Sequence, residues 1–225
     1  MENLNSTLSE MKRQYREIFL KSVDAIQGRI NELKPINFKG DIFDRYEKDS
    51  IGYQWQKAVV DMFENDISQE IYRKWTEIID YRLKFDCKGC ATCCNLACSE
   101  YSPEELKNRA ESGDKFAKQF TSIFVPYDSK EEASKIYPQY IELLEKNTNS
   151  DVYFYHCPKL TKDKKCCDYE NRPDICRVFP DNPLDLLPQS CGFYKWKKEV
   201  EPVAMMLHSM VEIIDYYKSK IDLES

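Results

Sequence analysis

Ten cysteines lie between residues 87 and 191 of a 225-residue chain, and none lies outside that stretch. The densest run reads Cys87-Lys88-Gly89-Cys90-Ala91-Thr92-Cys93-Cys94. A CxxC turn lets two thiolates reach one metal while backbone N–H groups point at the sulfurs. Three such cysteines in series, each step advancing the chain by nearly one helical turn, suit a shared site or a cluster. Adjacent cysteines pose a geometric problem, because neighbouring side chains point apart. Cys93 and Cys94 are therefore expected to serve two different metals, or one of them to be a bystander. The same holds for Cys166 and Cys167.

Other chemistries are poorly supplied. The six glycines never cluster, so no glycine-rich phosphate loop exists. The two histidines, His156 and His208, do not form an HExxH pair, and His156 reads as a neighbour of Cys157 rather than a ligand. A net charge of −6 gives no basic footprint, so neither nucleic acid nor an anionic membrane is an expected partner. Apolar runs such as Val203-Ala204-Met205-Met206-Leu207 are far too short to span a bilayer. The segment MENLNSTLSEMKRQYREIF lacks the positive end and apolar stretch of an export signal, so a cytoplasmic location is expected. Thiols stay reduced there, and clustered cysteines are metal ligands more often than disulfides.

Three blocks, CKGCATCC at 87–94, CPKL at 157–160 and CCDYENRPDICRVFP at 166–180, together resemble the YkgJ-like CxxCxxCC cysteine-cluster family, described as zinc- or iron-chelating. The resemblance runs from Phe85 to about Tyr194, roughly half of the chain. It implies metal ligands at Cys87, Cys90, Cys93, Cys94, Cys157, Cys166, Cys176 and Cys191, and leaves Cys98 and Cys167 as additions of this chain. Eight thiolates suffice for two four-sulfur sites. Lys88, Lys159, Lys164, Lys165, Arg172 and Arg177 offer compensating charge, and Arg172 and Arg177 flank Cys176 closely enough to hydrogen-bond around it.

Two cofactors fit such a ligand set, a 4Fe–4S iron–sulfur cluster or zinc. The CxxCxxC series with a distant Cys-Pro is similar to bacterial ferredoxin spacing, whereas the wide gap from Cys94 to Cys157 suits zinc. Three functions follow. One is a metal-centre protein, binding metal ions and carrying a redox role. The second is a protein-modifying enzyme, since flagellin lysine methylases are similar in their cysteine pattern; no glycine-rich nucleotide loop supports it. The third is a structural module binding a protein partner, where a metal site contributing about 10–16 kcal/mol to folding would itself explain the cysteines.

The elements that must position these cysteines read as helices. Leu4, Leu8, Met11, Tyr15, Ile18, Ser22, Ile26, Ile30 and Leu33 recur at three- and four-residue steps up to Pro35. Further helices are expected over about 41–63, with Gly52 as a weak point, and from about Asp66 through Leu83. Ser102-Pro103-Glu104-Glu105 is a capping box with proline at the first helical position, and Ser129 with Glu132 repeats the box before Ile136, Tyr140 and Leu143. Val152–Tyr155 is the strand candidate, and Pro173 is expected to start a short helix presenting Cys176. A last helix carries Val200, Val203, Met206, Leu207, Met210, Ile213, Ile214 and Tyr217, and Tyr15, Trp75 and Met206 read as core. The expected fold is mainly α: a helical domain with an irregular, loop-rich metal-binding segment and little β. Residues 1–86 form an N-terminal helical region, 87–194 the cysteine region, and 195–225 a C-terminal helix packing on the N-terminal helices in one compact unit.

Overall fold

The computed structural model describes residues 4–147, 151–221 and 223. The side chains of Leu4 and Leu143, two of the apolar positions named above, lie outside the described residues. By its described residues the protein is about 60% helical and 5% strand, so the fold is mainly α as expected. In chain order the first elements are α1 (Leu4–Glu32), α2 (Ile51–Asp61), a π-helical turn (Met62–Ile67) and α3 (Ser68–Arg82). Next come α4 (Thr92–Asn95), β1 (Ala97–Ser99), α5 (Pro103–Glu111), α6 (Lys115–Ile123), β2 (Val125–Pro126), α7 (Lys130–Ile136), α8 (Pro138–Asn147) and β3 (Tyr153–His156). The series ends with α9 (Asp174–Val178) and α10 (Tyr194–Lys220). The chain divides into two units, 1–8 with 85–195, and 9–84 with 196–225.

The second unit is all-helical. Its core holds Ile26 and Ile30 of α1, Trp55, Val59, Phe63, Ile67 and Ile78 along the α2–α3 stretch, and Trp196, Leu207 and Ile213 of α10. Two indoles tie side chains to helix backbone: Trp55 Nε1 donates to the Ile30 carbonyl at 3.2 Å, and Trp196 Nε1 to the Ile78 carbonyl at 3.0 Å. Ser22, the polar break in the first helix, is buried and meets Ser209 with 2.8 Å between their oxygens. A hydroxyl among apolar neighbours is tolerated because it has that partner. Tyr15, Trp75 and Met206 are half-buried rather than core residues, and Met205, beside Met206, takes the buried position instead.

Two helix boundaries differ from the sequence expectation. Residues 41–50 are turns rather than helix, because Asp41 accepts from the Phe43 N–H and Ser50 caps α2 by accepting from the Tyr53 N–H. Gly52 is no weak point: the Tyr46 ring lies where a Cβ would stand. From Ile51 to Arg82 the chain is one continuous helical stretch, with the π turn in its middle. Trp55, Val59, Phe63 and Ile67 follow strict four-residue spacing, which drifts around an α-helix, and a wider π turn keeps all four on the buried side.

The first unit is built on a small antiparallel sheet in the order β1-β3-β2, with Ala97 opposite Tyr155, Cys98 opposite Phe154 and Val125 opposite His156. The observed strand runs one residue later than the Val152–Tyr155 expectation. Alternation along β3 sends Phe154 and Tyr155 to opposite faces. Phe154 packs with Leu96, Ala133 and Ile141, and Tyr155 with Leu106, Ala117 and Phe120. The Ser102–Glu105 capping box is fully formed, and Ser129 caps α7 before Pro138 restarts the chain as α8. Thus α7 and α8 cover one face of the sheet and α5 and α6 the other. The cysteine blocks leave from the sheet's end.

Candidate metal centre

Cys94 lies just before β1 and Cys157 just after β3, so the antiparallel pairing of these strands brings the first and second cysteine blocks together. Beyond the strands one further backbone bond joins the two blocks, the Cys157 N–H donating to the Cys94 carbonyl at 2.7 Å. Cys166 is carried back beside Cys157 by a tight loop, closed by the Leu160–Cys166 bridge and a 3.0 Å bond from the Cys167 N–H to the Lys159 carbonyl. Cys176 sits on α9, preceded by Pro173 in extended conformation as the N-cap residue. Cys191 is held against the start of the first block, because Gly192 packs directly on the Asp86 carbonyl with no room for a Cβ.

Only the end of the CKGCATCC run is helical. Gly89 and Ala91 both take left-handed conformations, with φ of 67° and 63°, and the helix α4 begins only at Thr92. The expected near-helical advance from Cys87 to Cys93 is therefore replaced by a kinked loop. The kink folds the backbone over the sulfur: the Gly89 N–H points at Cys87 Sγ, 3.4 Å away, as a CxxC turn requires.

One cavity of about 550 Å³ is lined by nine of the ten cysteines, all except Cys167. Part of the remaining wall is apolar, with Phe116, Phe120, Ile123 and Phe124 from the α6 segment and Phe179 and Leu186 from the loops around α9. The sulfurs meet in pairs. Cys191 hydrogen-bonds Cys90, which holds the Cys90 thiol well below its ordinary pKa and the Cys191 thiol well above. Cys93 does the same for Cys94, lowering Cys94 while its own proton is held more tightly. Adjacent Cys93 and Cys94 therefore do not point apart; their sulfurs are in contact. A metal ion binds such groups as thiolates, so loading either pair releases its protons.

Beyond the pairs, burial raises the Cys157 thiol and pushes that of Cys176 up to about 11, with nearby Cys157 and Cys94 adding to the latter. Arg172 opposes this at both Cys94 and Cys176. Its guanidinium stacks 3.7 Å from the Tyr169 ring centre and donates to the Tyr169 carbonyl at 3.1 Å. Tyr169 in turn donates its hydroxyl to the Cys87 carbonyl at 3.3 Å, so this tyrosine links the cysteine blocks. Sequence reasoning missed Tyr169, whose only signal is its place in the DYENRP string. Arg177 braces the same turn by donating to the carbonyls of Arg172, at 2.7 Å, and Glu170. Lys88, Lys159 and Lys164 line the cavity, and Lys159 is paired with Asp168 at 2.5 Å.

All eight cysteines of the expected ligand set line this cavity. They form sets of neighbours rather than finished coordination shells. Among the described residues no three His, Cys, Asp or Glu side chains converge so as to hold a metal ion as they stand. Cys98 also lines the cavity but shares its hydrogen bond with Tyr140, and Cys167 is exposed outside it. His156 packs its ring on Tyr127, with 4.9 Å between ring centres. The donor set is thus pure thiolate, which suits zinc and iron–sulfur centres.

A family model named for the CxxCxxCC motif, and described as a zinc- or iron-chelating domain, matches residues 86–200. The chain belongs to this family. The match covers both cysteine blocks and their connecting helices, so the CxxCxxCC domain includes the whole cavity. No curated protein and no solved structure matches the chain. Among the described residues no helix is long and apolar enough to cross a membrane.

Proposed function

We propose that this CxxCxxCC protein holds iron–sulfur through Cys87, Cys90, Cys93, Cys94, Cys157, Cys166, Cys176 and Cys191, and that the centre has a redox role in a reducing compartment such as the cytoplasm. The observation that carries this reading is the shared cavity: eight thiols from segments far apart in sequence open into one space of about 550 Å³, more than a bare ion needs. An apolar wall on one side supports it, since burial and hydrogen bonds to the sulfurs set the potential of such a centre. Bound there, the group would supply one-electron chemistry. The chain's part is to present thiolates, give the Gly89 N–H to a sulfur and place the Arg172 charge beside Cys94 and Cys176.

A zinc-stapled structural or partner-binding module is the second reading, favoured by one observation. Between His156 and Tyr194 the only helix is the five-residue α9, so this segment has little else to order it. Anaerobic purification separates the two. Iron–sulfur gives broad visible absorption that bleaches reversibly with dithionite, together with iron and acid-labile sulfide. A colourless protein with tightly bound zinc supports the staple instead. Metal-free protein whose 85–195 unit is fully folded would sink both.

A further inference from the structure

A cluster in the all-helical unit sets three metal-binding atoms against each other, on α1 and α10 and without any cysteine. His208 and Glu212 stand four residues apart on α10, so their side chains share a face of the helix. Tyr15 reaches them from α1. Its hydroxyl lies 3.0 Å from His208 Nδ1 and 2.7 Å from Glu212 Oε2, and His208 Nδ1 lies 3.5 Å from Glu212 Oε1. The Tyr15 ring is placed by edge contact with the His208 ring, 5.9 Å between centres, and by Phe19 at 6.2 Å. A phenol carries one proton, which here goes to Glu212. The His208 contact then needs a second proton on Nδ1, or it sets two lone pairs face to face. The side chains of His208 and Glu212 are 54% and 49% exposed, so solvent reaches all of this.

From this geometry we infer that Tyr15, His208 and Glu212 form a site for a divalent transition-metal ion, with zinc as the fitting ion and oxygen and nitrogen as its donors. Imidazole and carboxylate both ligate zinc, and the phenol oxygen supplies the third position. Tetrahedral zinc with bonds of 2.0–2.2 Å holds its donors about 3.3–3.5 Å apart. The His208–Glu212 separation already meets this, and the two Tyr15 contacts need to open by less than an ångström. The ion takes the place of the shared protons, because it binds imidazole through an unprotonated nitrogen and the two oxygens as anions. Those two anions balance its charge. The fourth position is left to water, which the exposure of the cluster allows. Since the donors come from two helices, the ion ties α1 to α10, which already meet at the Ser22–Ser209 contact. The inference is independent of the thiolate centre, whose sulfur donors select softer ions than this set does.

The test is a titration of the full chain with Zn²⁺, by calorimetry and ultraviolet difference spectroscopy, after its thiols have been saturated with metal and the excess removed. One additional equivalent is expected, accompanied by the difference band of a metal-bound tyrosinate. Tyr15→Phe keeps the ring against Phe19 and removes only the oxygen. It should abolish the band and weaken the additional equivalent by at least the roughly 10- to 100-fold that loss of an outer-shell partner costs. His208→Gln and Glu212→Gln should weaken it likewise, while the metal held by the thiols stays the same in all three variants. A wild type without the additional equivalent overturns the proposal, as does an equivalent that binds Tyr15→Phe as tightly or that raises no tyrosinate band. Should a variant not fold, the imidazole resonances of the wild type decide, since the chain has two histidines. Zinc must then shift one set and leave the other in place, and two unmoved sets overturn the proposal. If the thiols hold no metal at all, the thiolate reading fails while this equivalent is counted by itself, so the two failures are told apart.

Discussion

Replacing Gly192 by alanine should weaken metal binding without removing a ligand. A Cβ at this position falls on the Asp86 carbonyl oxygen, with the carbonyl carbon at 3.0 Å and Lys88 Cγ at 3.1 Å. The obstacle is backbone, so it cannot rotate away as the tip of a flexible side chain would. The Cys191 loop must back off from the Cys87 segment, and the contact between Cys191 and Cys90 is what opens. Overpacking of this kind costs roughly 1–3 kcal/mol. Levied on the loaded form, that is about a 5- to 150-fold loss of affinity. The assay is anaerobic competition between the protein and a chelator of known affinity, paired with thermal melting of the loaded protein. The control is Gly28→Ala inside α1, where nothing lies within 4 Å of the new Cβ. There the exchange should stabilise by about 0.5–1 kcal/mol through helix propensity alone. Wild-type metal affinity and melting in Gly192→Ala would refute the reasoning that this close approach holds the blocks together.

Further outcomes follow from the packing and from the carboxylates. Leu106 is fully buried against Ala117, Phe120 and Tyr155, so Leu106→Ala should cost about 2–5 kcal/mol in denaturant unfolding. Chelation of the metal should speed hydrogen exchange across residues 157–193, where regular structure is sparse, while the α10 amides from Trp196 to Tyr217 stay protected. At low pH, Glu105 is held below its ordinary 4.5 by the Ser102 hydroxyl and N–H, and Asp114 below 3.8 by the Ala117 N–H and then by Arg109. Lowered folded-state values mean the unfolded chain takes up protons first. The stability they add is therefore complete above those ordinary values and lost as pH falls through the lowered ones. Glu105→Gln/Asp114→Asn should flatten the acid limb of melting temperature against pH, and an unchanged limb would count against these caps.

Much of the fold was legible because its signals are local. The Ser102–Glu105 box, the apolar spacing of α1 and α10, and the aromatic β3 strand depend on residues a few positions apart. The misread stretch at 41–50 shows the limit: its apolar and aromatic residues match a helical pattern, but Ser50 and Asp41 satisfy backbone groups in ways that start the helix later. The break expected near Asp66 failed for a related reason, since a π turn lets a drifting apolar stripe continue as one stretch.

For the metal centre, sequence alone determined the chemistry. Ten cysteines in two blocks, with two histidines and no phosphate loop, point to thiolate ligation, and the spacing of CKGCATCC marks where it begins. Sequence could not say which sulfurs are neighbours. That was decided by the antiparallel pairing of β1 with β3, which sets Cys94 beside Cys157, and by Gly192 on Asp86, which returns Cys191 to the first turn. It also could not show Tyr169 linking the blocks, nor the sulfurs of Cys93 and Cys94 in contact. The physical reason is the same throughout: the type of a ligand is a property of one residue, whereas its grouping depends on loop closures spanning tens of residues, and those close only when the sheet and its two helical layers are packed.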